Sequence, residues 1–354
     1  AINLSQGFPD FQAEPALFAA MDRHMRAGRN QYAPMAGMPE LRQGIVDKVA
    51  ALYGTRFDVD SEVTVTAGAT QAIFTAIAAF VRPGDEVIVF EPVYDSYVPA
   101  IETVGGKALP AQLRFPGYAP DWAQVAALIT PKTRMIIVNS PHNPTGSLLT
   151  AVDLEKLAEI VRGGDIVVLS DEVYEHIVFD GQRHASLCGH PELAARSIVV
   201  SSFGKTYHIT GWKIGYVVGP AGLMAEFRKV HQFNVFTVHT PSQLALADYM
   251  QDASRHLGLA AFYQEKRDFF RSLLADTPFE LLPCRGTYFQ LAGYARISSL
   301  PDREFAEWMT REAGVAVIPV SVFRADGRDD RVVRFCFAKK EETLAAAGER
   351  LRRL

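Results

Sequence analysis

Five short apolar runs, rich in β-branched residues, constrain what this chain can fold into: EVTVTAG at 62–68, DEVIVFEP at 85–92, RMIIVNSP at 134–141, DIVVLSDE at 165–172 and SIVVSSF at 197–203. Each ends in small or polar residues, as buried strands of a mostly parallel sheet do. Helical patterns lie between them. In TAVDLEKLAEIVRGG, Thr150 caps the start, Leu154, Leu157, Ile160 and Val161 form one face, and Gly163–Gly164 end it. Such alternation predicts a doubly wound α/β domain. Beyond about residue 220 the pattern changes to long helical stretches, MAEFRKVHQF and HLGLAAFYQEKRDFFRSLLAD. Strand-like pieces follow (FELLPCRGTYFQLAGY, GVAVIPVSVF, RVVRFCFAK), then a closing helix, EETLAAAGERLRRL. A chain of 354 residues has room for a large domain and a smaller α+β one.

Composition removes several classes of function. With 48% hydrophobic and 21% charged residues the chain can bury a sizeable core. Its formal net charge of −4 is spread without a basic stripe, which argues against nucleic acid as a partner. No apolar run approaches the roughly 18–20 residues of a membrane span. Cys188, Cys284 and Cys336 are too few and too scattered for a disulfide framework and fit a reducing, cytoplasmic compartment. The chain opens at Ala1 without a signal-peptide pattern.

Open α/β sheets bind ligands outside the carboxyl ends of their strands. The residues there are Gly68-Ala69-Thr70, Glu91 to Tyr94, Asn139 to Asn143, Asp171 to Tyr174 and Ser201 to Lys205. Each has a bland reading. Thr70 would cap a helix, Asp171 and Glu172 would cap a turn or face solvent, and Asn143 in PHNPTG would be turn chemistry. Lys213 and Arg334, in strand-like WKIGYVV and VVRFCF, would be edge residues reaching water, although Phe335 and Phe337 flank Arg334 in an apolar run.

Other motifs fail. FGKT resembles the end of a phosphate-binding P-loop, but Val199 stands where that pattern needs glycine. His184, Cys188 and His190 do not have structural zinc spacing, so no metal is expected. Ser202 near His208 lacks a nucleophile elbow.

Pyridoxal phosphate chemistry accounts for the set. It needs a lysine whose pKa is lowered by an apolar wall and neighbouring cations, and an aspartate to keep the cofactor's pyridine nitrogen protonated. It also needs an anion cradle, and for an amino-acid substrate a fork-shaped arginine.

The order of motifs carries a resemblance. SQGFPDF, NQYAPMAGMPELR, TAGATQA, EPVYDSY, PHNPTG, SDEVYEH, SSFGKTYHITGWKIGY and VVRFCFAKK resemble, in sequence, the class I/II, fold-type I, pyridoxal-phosphate-dependent aminotransferases. Within that family the motifs look most like those of the kynurenine/glutamine aminotransferase subgroup, and especially of bacterial methionine aminotransferases. The resemblance implies an α/β fold of the aspartate aminotransferase type. A large cofactor-binding domain, 29–276, would hold a mostly parallel seven-stranded sheet between helices. Residues 1–28 and 277–354 would form the smaller α+β domain.

By the same resemblance Lys205 is the Schiff-base lysine and proton carrier, Asp171 the pyridinium partner, and Asn143 and Tyr174 donors to the phenolic oxygen. Ala69, Thr70, Ser202 and Lys213 make the phosphate cradle, with lysine at 213 where relatives often carry arginine. Tyr94 stacks on the ring. Tyr32 reaches the neighbouring subunit's site, which implies a homodimer. Gly7, Asn143 and Arg334 hold the substrate carboxylate. Relatives usually carry one or two further helical turns' worth of sequence, or more, before NLSQGFPDF. The implied reaction is ping-pong transfer of an amino group from a neutral or aromatic amino acid to a 2-oxo acid, with methionine favoured over phenylalanine, glutamine and kynurenine. Phe8, Tyr94, Tyr97, Phe233 and Phe236 suggest an apolar or aromatic pocket, with Phe233 and Phe236 equally readable as core. The alternatives are cysteine-conjugate β-lyase or aminocyclopropane-carboxylate-type synthase chemistry on the same scaffold, or the ligand-sensing domain of a transcription regulator.

Overall fold

In the computed structural model, which describes residues 1–354, the five runs are strands of one sheet. Its strands are β1 (Val63–Thr66), β2 (Glu86–Glu91), β3 (Lys107–Gln112), β4 (Thr133–Asn139), β5 (Val167–Asp171), β6 (Ser197–Ser202) and β7 (Gly215–Val218). Their order is β1-β7-β6-β5-β4-β2-β3. β7 runs antiparallel to both neighbours, and the remaining pairs are parallel. The seven-stranded, mostly parallel sheet between helices is as expected. β3 was not among the runs because KALPAQ carries lysine, proline and glutamine. It lies at the sheet edge, where Pro110 deprives no neighbour of a hydrogen bond.

Successive residues of each inner strand go to opposite faces. Val87, Val89, Met135, Ile137, Leu169, Ile198 and Val200 enter one apolar cluster, whereas Ile88, Phe90, Ile136, Val138, Val168 and Val199 enter the other. Both faces are dry, which is why these strands read as continuous apolar runs. Burying each such side chain contributes roughly 2 kcal/mol. In the inner strands polar residues gather at or next to the ends, and register brings those ends together: Asn139 pairs with Asp171, Asp171 with Val200, and Ser202 with Gly215.

A second, antiparallel sheet comprises β8 (Glu280–Leu281), β9 (Phe289–Gly293), β10 (Ile318–Pro319) and β11 (Val332–Cys336), in the order β10-β11-β9-β8. Leu4 belongs to its core, and Ile2–Asn3 pair with Val315–Ala316. The helix Pro15–Arg26 instead sends Leu17 and Ala20 into a core of the first sheet. The helix Leu259–Leu274 packs Leu259, Tyr263, Phe270 and Leu274 on the second sheet. We therefore propose that the smaller domain follows the packing, taking the first dozen residues and the chain from about 259 onward, rather than dividing at 28/29 and 276/277. No helix is long and apolar enough to cross a membrane.

Candidate active site

The carboxyl ends of β1, β4, β5 and β6 open into a cavity of about 180 Å³ lined by Gly68, Ala69, Thr70, Tyr94, Asn143, Asp171, Tyr174, Ser202, Lys205 and Lys213, among others. Nine of the positions singled out in the sequence thus share one wall: Ala69, Thr70, Tyr94, Asn143, Asp171, Tyr174, Ser202, Lys205 and Lys213.

Lys205 sits on the short helix Phe203–Thr206 that follows β6. Its Nζ donates to the Tyr288 hydroxyl at 2.9 Å and to the Gly7 carbonyl at 3.2 Å. It lies 5.6 Å from the Tyr174 ring centroid and 5.5 Å from that of Tyr288. Burial lowers its pKa to about 8; Cys336 and Asp171 oppose the shift, while Arg334 and Lys213 add to it. Asp171 ends β5. Burial pushes its carboxyl up to about 6, against the pull of a 2.5 Å hydrogen bond from the Tyr97 hydroxyl. The Val173 N–H donates to the other carboxylate oxygen at 3.3 Å, and Asn139 Nδ2 donates to the Asp171 carbonyl at 2.8 Å.

The helix Gly68–Phe80 begins at the cavity, and its N-cap is Ala67, which has no side-chain cap. Thr70 is therefore inside the first turn rather than a capping residue. Gly68, Ala69, Thr70, Ser202 and Lys213 line the same space, and an uncapped helix start beside two hydroxyls and an ammonium suits an anion. Gly68 has φ of +80°, and a Cβ there would meet Lys213 Cε at 3.5 Å. Lys213 itself is left-handed, with φ of 55°, just before β7 rather than within a strand.

Arg334 occupies an inner strand of the second sheet, paired with Leu291 and Ile318. It is buried, not an edge residue reaching water. Nη1 donates to Asn143 Oδ1 at 2.7 Å and Nη2 to the Ser5 carbonyl at 3.2 Å, and Nε has no partner. The guanidinium carbon lies 4.0 Å from the Phe289 ring centroid, and burial lowers its pKa. Gly7 lies close to Phe289: a Cβ would stand 2.6 Å from Cζ of that ring.

The aromatic expectations divide. Tyr94 lines the cavity. Tyr97 does not wall a substrate pocket; it is buried and spends its hydroxyl on Asp171. Neither Phe233, 90% exposed, nor Phe236, 40% exposed, is core. Tyr32 is 83% exposed and packs edge-on against Phe236, outside the cavity of its own chain. Phe8 is exposed, with Lys339 Nζ 4.7 Å from its ring centroid. Tyr288 and Asn139 are the functional neighbours that sequence reasoning left without a role. Tyr288 lies in the strand-like GTYFQ, where nothing local distinguishes a site residue from a core ring.

This set fits pyridoxal phosphate. The chain's buried ion pairs, such as Lys48–Glu175 and Arg324–Asp330, lie elsewhere. At the cavity Asp171, Lys205 and Lys213 make no direct ion pair, although Asp171 and Lys205 feel each other's charge. The buried Asp171 is costly without a close partner, and each of the three gains from a ligand group of opposite charge.

Comparison with known proteins supports the same reading. The aminotransferase class I and II family model matches residues 1–351. The methionine aminotransferase of Escherichia coli is 52% identical over 355 residues, covering all of this chain and 92% of that one. The rat kynurenine–oxoglutarate transaminase 1 is 35% identical, covering 99% and 92%. A solved E. coli structure, described as identifying a methionine aminotransferase function, superposes with a TM-score of 0.99 at 52% identity, over 100% of this chain and 94% of that one. A family match from the first residue nearly to the last, on a fold that gathers these groups at its strand ends, places the chain among the pyridoxal-phosphate-dependent enzymes of the aminotransferase class I and II family.

Proposed function

We propose that this enzyme moves the amino group of methionine, or of another neutral or aromatic L-amino acid, to a 2-oxo acid in ping-pong order, with the donor leaving as its 2-oxo acid before the acceptor enters. The observation that carries the chemistry is the pair Lys205 and Asp171, one drawn down to about 8 and the other up to about 6, in a cavity whose remaining cations lack carboxylate partners. When bound, pyridoxal phosphate supplies an aldehyde carbon for an amine and a protonated ring that accepts the electron pair left by the broken Cα–H bond.

The chain's own groups do the rest. Lys205 Nζ, as the neutral amine, would hold the cofactor's aldehyde carbon and would take the proton from the substrate Cα. Asp171, fixed by Tyr97, would keep the ring nitrogen protonated. Ala69, Thr70, Ser202 and Lys213 would hold the phosphate. Tyr94 would lie against the ring, and Asn143 and Tyr174 would donate to its phenolic oxygen. Arg334, with Asn143 and Gly7, orients the substrate carboxylate so that Cα–H points at Lys205.

The preference for methionine rests on the 52% identical relative. An acidic side chain would want a second unpaired cation, and Arg334 is assigned to the α-carboxylate. Tyr32 reaches the partner's site in a homodimer, and the exposed Tyr32, Phe233 and Phe236 support that reading. Three free, buried cysteines favour a cytoplasmic setting.

Methionine, glutamine, phenylalanine, kynurenine and aspartate assayed as donors against a set of 2-oxo acids will test this. Methionine should rank first and aspartate last. Aspartate as best donor, or pyruvate released from cysteine conjugates without an amino acceptor as the main reaction, overturns it.

A further inference from the structure

Tyr94 and Arg334 stand on different sheets: Tyr94 follows β2 of the first, and Arg334 lies in β11 of the second. Catalysis requires the substrate carboxylate at Arg334 and the ring beside Tyr94 to keep a fixed separation. A polar chain anchored on the buried Glu91 and Arg324 spans that gap. Glu91 and Gln112, the last residues of β2 and β3, are register partners. Glu91 is 1% exposed, and each of its carboxylate oxygens takes one donor. The Ala325 N–H donates to Oε1 at 2.8 Å and Gln112 Nε2 to Oε2 at 2.8 Å. Gln112 Oε1 accepts from Arg324 Nη1 at 2.6 Å, and Arg324 Nη2 reaches Asp330 Oδ2 at 3.2 Å. The Val93 N–H, one residue before Tyr94, donates to the Phe323 carbonyl at 2.7 Å. The Phe323 ring centroid lies 5.2 Å from the Arg334 guanidinium carbon.

Glutamine is the one neutral side chain of this length that both accepts from an arginine and donates to a glutamate. An apolar residue at 112 leaves the buried Arg324 and Glu91 each a partner short, and a carboxylate there faces Glu91 with like charge. From this geometry we infer that Gln112, bridging Glu91 and Arg324, is a positioning residue for the substrate carboxylate. It ties the Phe323–Asp330 segment to the strand ends of the first sheet, and so fixes Phe323 and Arg334 relative to Tyr94. It touches neither substrate nor cofactor.

The inference rests on the aminotransferase reading, and the test separates the two. The holoenzyme is titrated with α-methylmethionine, which has the carboxylate but no Cα–H, and with 3-(methylthio)propylamine, which has the amine and side chain but no carboxylate. Wild type binding neither would sink the aminotransferase reading itself. If wild type binds both, Gln112→Met should bind α-methylmethionine about tenfold more weakly, the scale of one or two lost buried hydrogen bonds. It should bind the amine as before. In turnover, KM for methionine should rise by a similar factor and kcat should fall with it, because Arg334 also sets the direction of the Cα–H bond. Equal weakening of both ligands, unchanged binding of both, or a fall in kcat alone overturns the inference. If Gln112→Met does not fold, Gln112→Glu, which keeps the bond to Arg324 and repels Glu91, is read by the same ratio.

Discussion

At the residue scale the site is defined by two groups held away from their ordinary pKa, and each gives a measurable pH dependence. Asp171 is raised from 3.8 to about 6 by burial. A carboxyl raised in the folded state favours folding below its unfolded pKa, and that advantage is lost as pH climbs through the folded value. Cofactor-free Asp171→Asn protein should therefore match wild type in stability near pH 4. Its advantage should grow to pH 6 and level off there at about 3 kcal/mol or less, two pKa units' worth. Chemical denaturation across that range reads the difference. The same variant should lose turnover by orders of magnitude, because an amide does not hold a proton on the ring nitrogen. An Asp171→Asn protein no more stable than wild type at pH 7 would show that Asp171 is not strained by burial. Lys205 has the opposite sign. Its pKa falls from 10.5 to about 8, so the neutral amine becomes the major form only above about pH 8. The rate at which cofactor-free protein regains pyridoxal phosphate, followed by absorbance, should rise with pH and bend near 8. Lys205→Ala should lose both the yellow colour and transamination.

Elements, more than isolated residues, made this site legible. The strand ends were readable because the sheet dries both faces of each inner strand, so a polar residue such as Asp171 or Asn139 survives at or next to an end. The bland readings of Thr70 and Arg334 failed for reasons that sequence does not carry. The helix starts two residues before Thr70, and the second sheet places a neighbour on each side of Arg334. Tyr97 and Tyr288 were misread or missed because an aromatic within an apolar pattern looks the same whether its hydroxyl is used or not. β3 escaped because an edge strand need not be apolar.

The element that most directly tests the cradle is the turn into β7 that presents Lys213 opposite the uncapped start of Gly68–Phe80. Lys213→Met should weaken retention of pyridoxal phosphate by about 10- to 100-fold, the scale of one charge-assisted hydrogen bond. Lys213→Arg should keep it, measured by equilibrium dialysis of the cofactor. Equal retention by Lys213→Met and wild type would leave the helix N-terminus alone as the phosphate site.

For the whole molecule the question is whether one chain completes its own site. Tyr32 lies outside the cavity of its own chain, 83% exposed, and Phe236, whose ring packs against it, is 40% exposed. Neighbouring exposed rings such as Tyr32 and Phe236 are a surface that a second molecule would cover at a gain. If that molecule is a second copy with Tyr32 reaching across, the two defects Tyr32→Ala and Lys205→Ala lie on different chains of any one site. A mixed dimer of the two variants then contains one site lacking both groups and one with both intact: Lys205 from the Tyr32→Ala chain and Tyr32 from the Lys205→Ala chain. After unfolding and refolding an equimolar mixture, half of the dimers are mixed, and activity should recover to about a quarter of wild type. Tyr32→Ala alone should bind the cofactor more weakly, and Lys205→Ala alone should be inactive. If Tyr32 served its own chain, no mixed dimer would hold an intact site and the mixture would stay at the mean of the two variants. Sedimentation of the same samples reports whether dimers re-formed, so a lack of recovery with dimers present counts against the shared site.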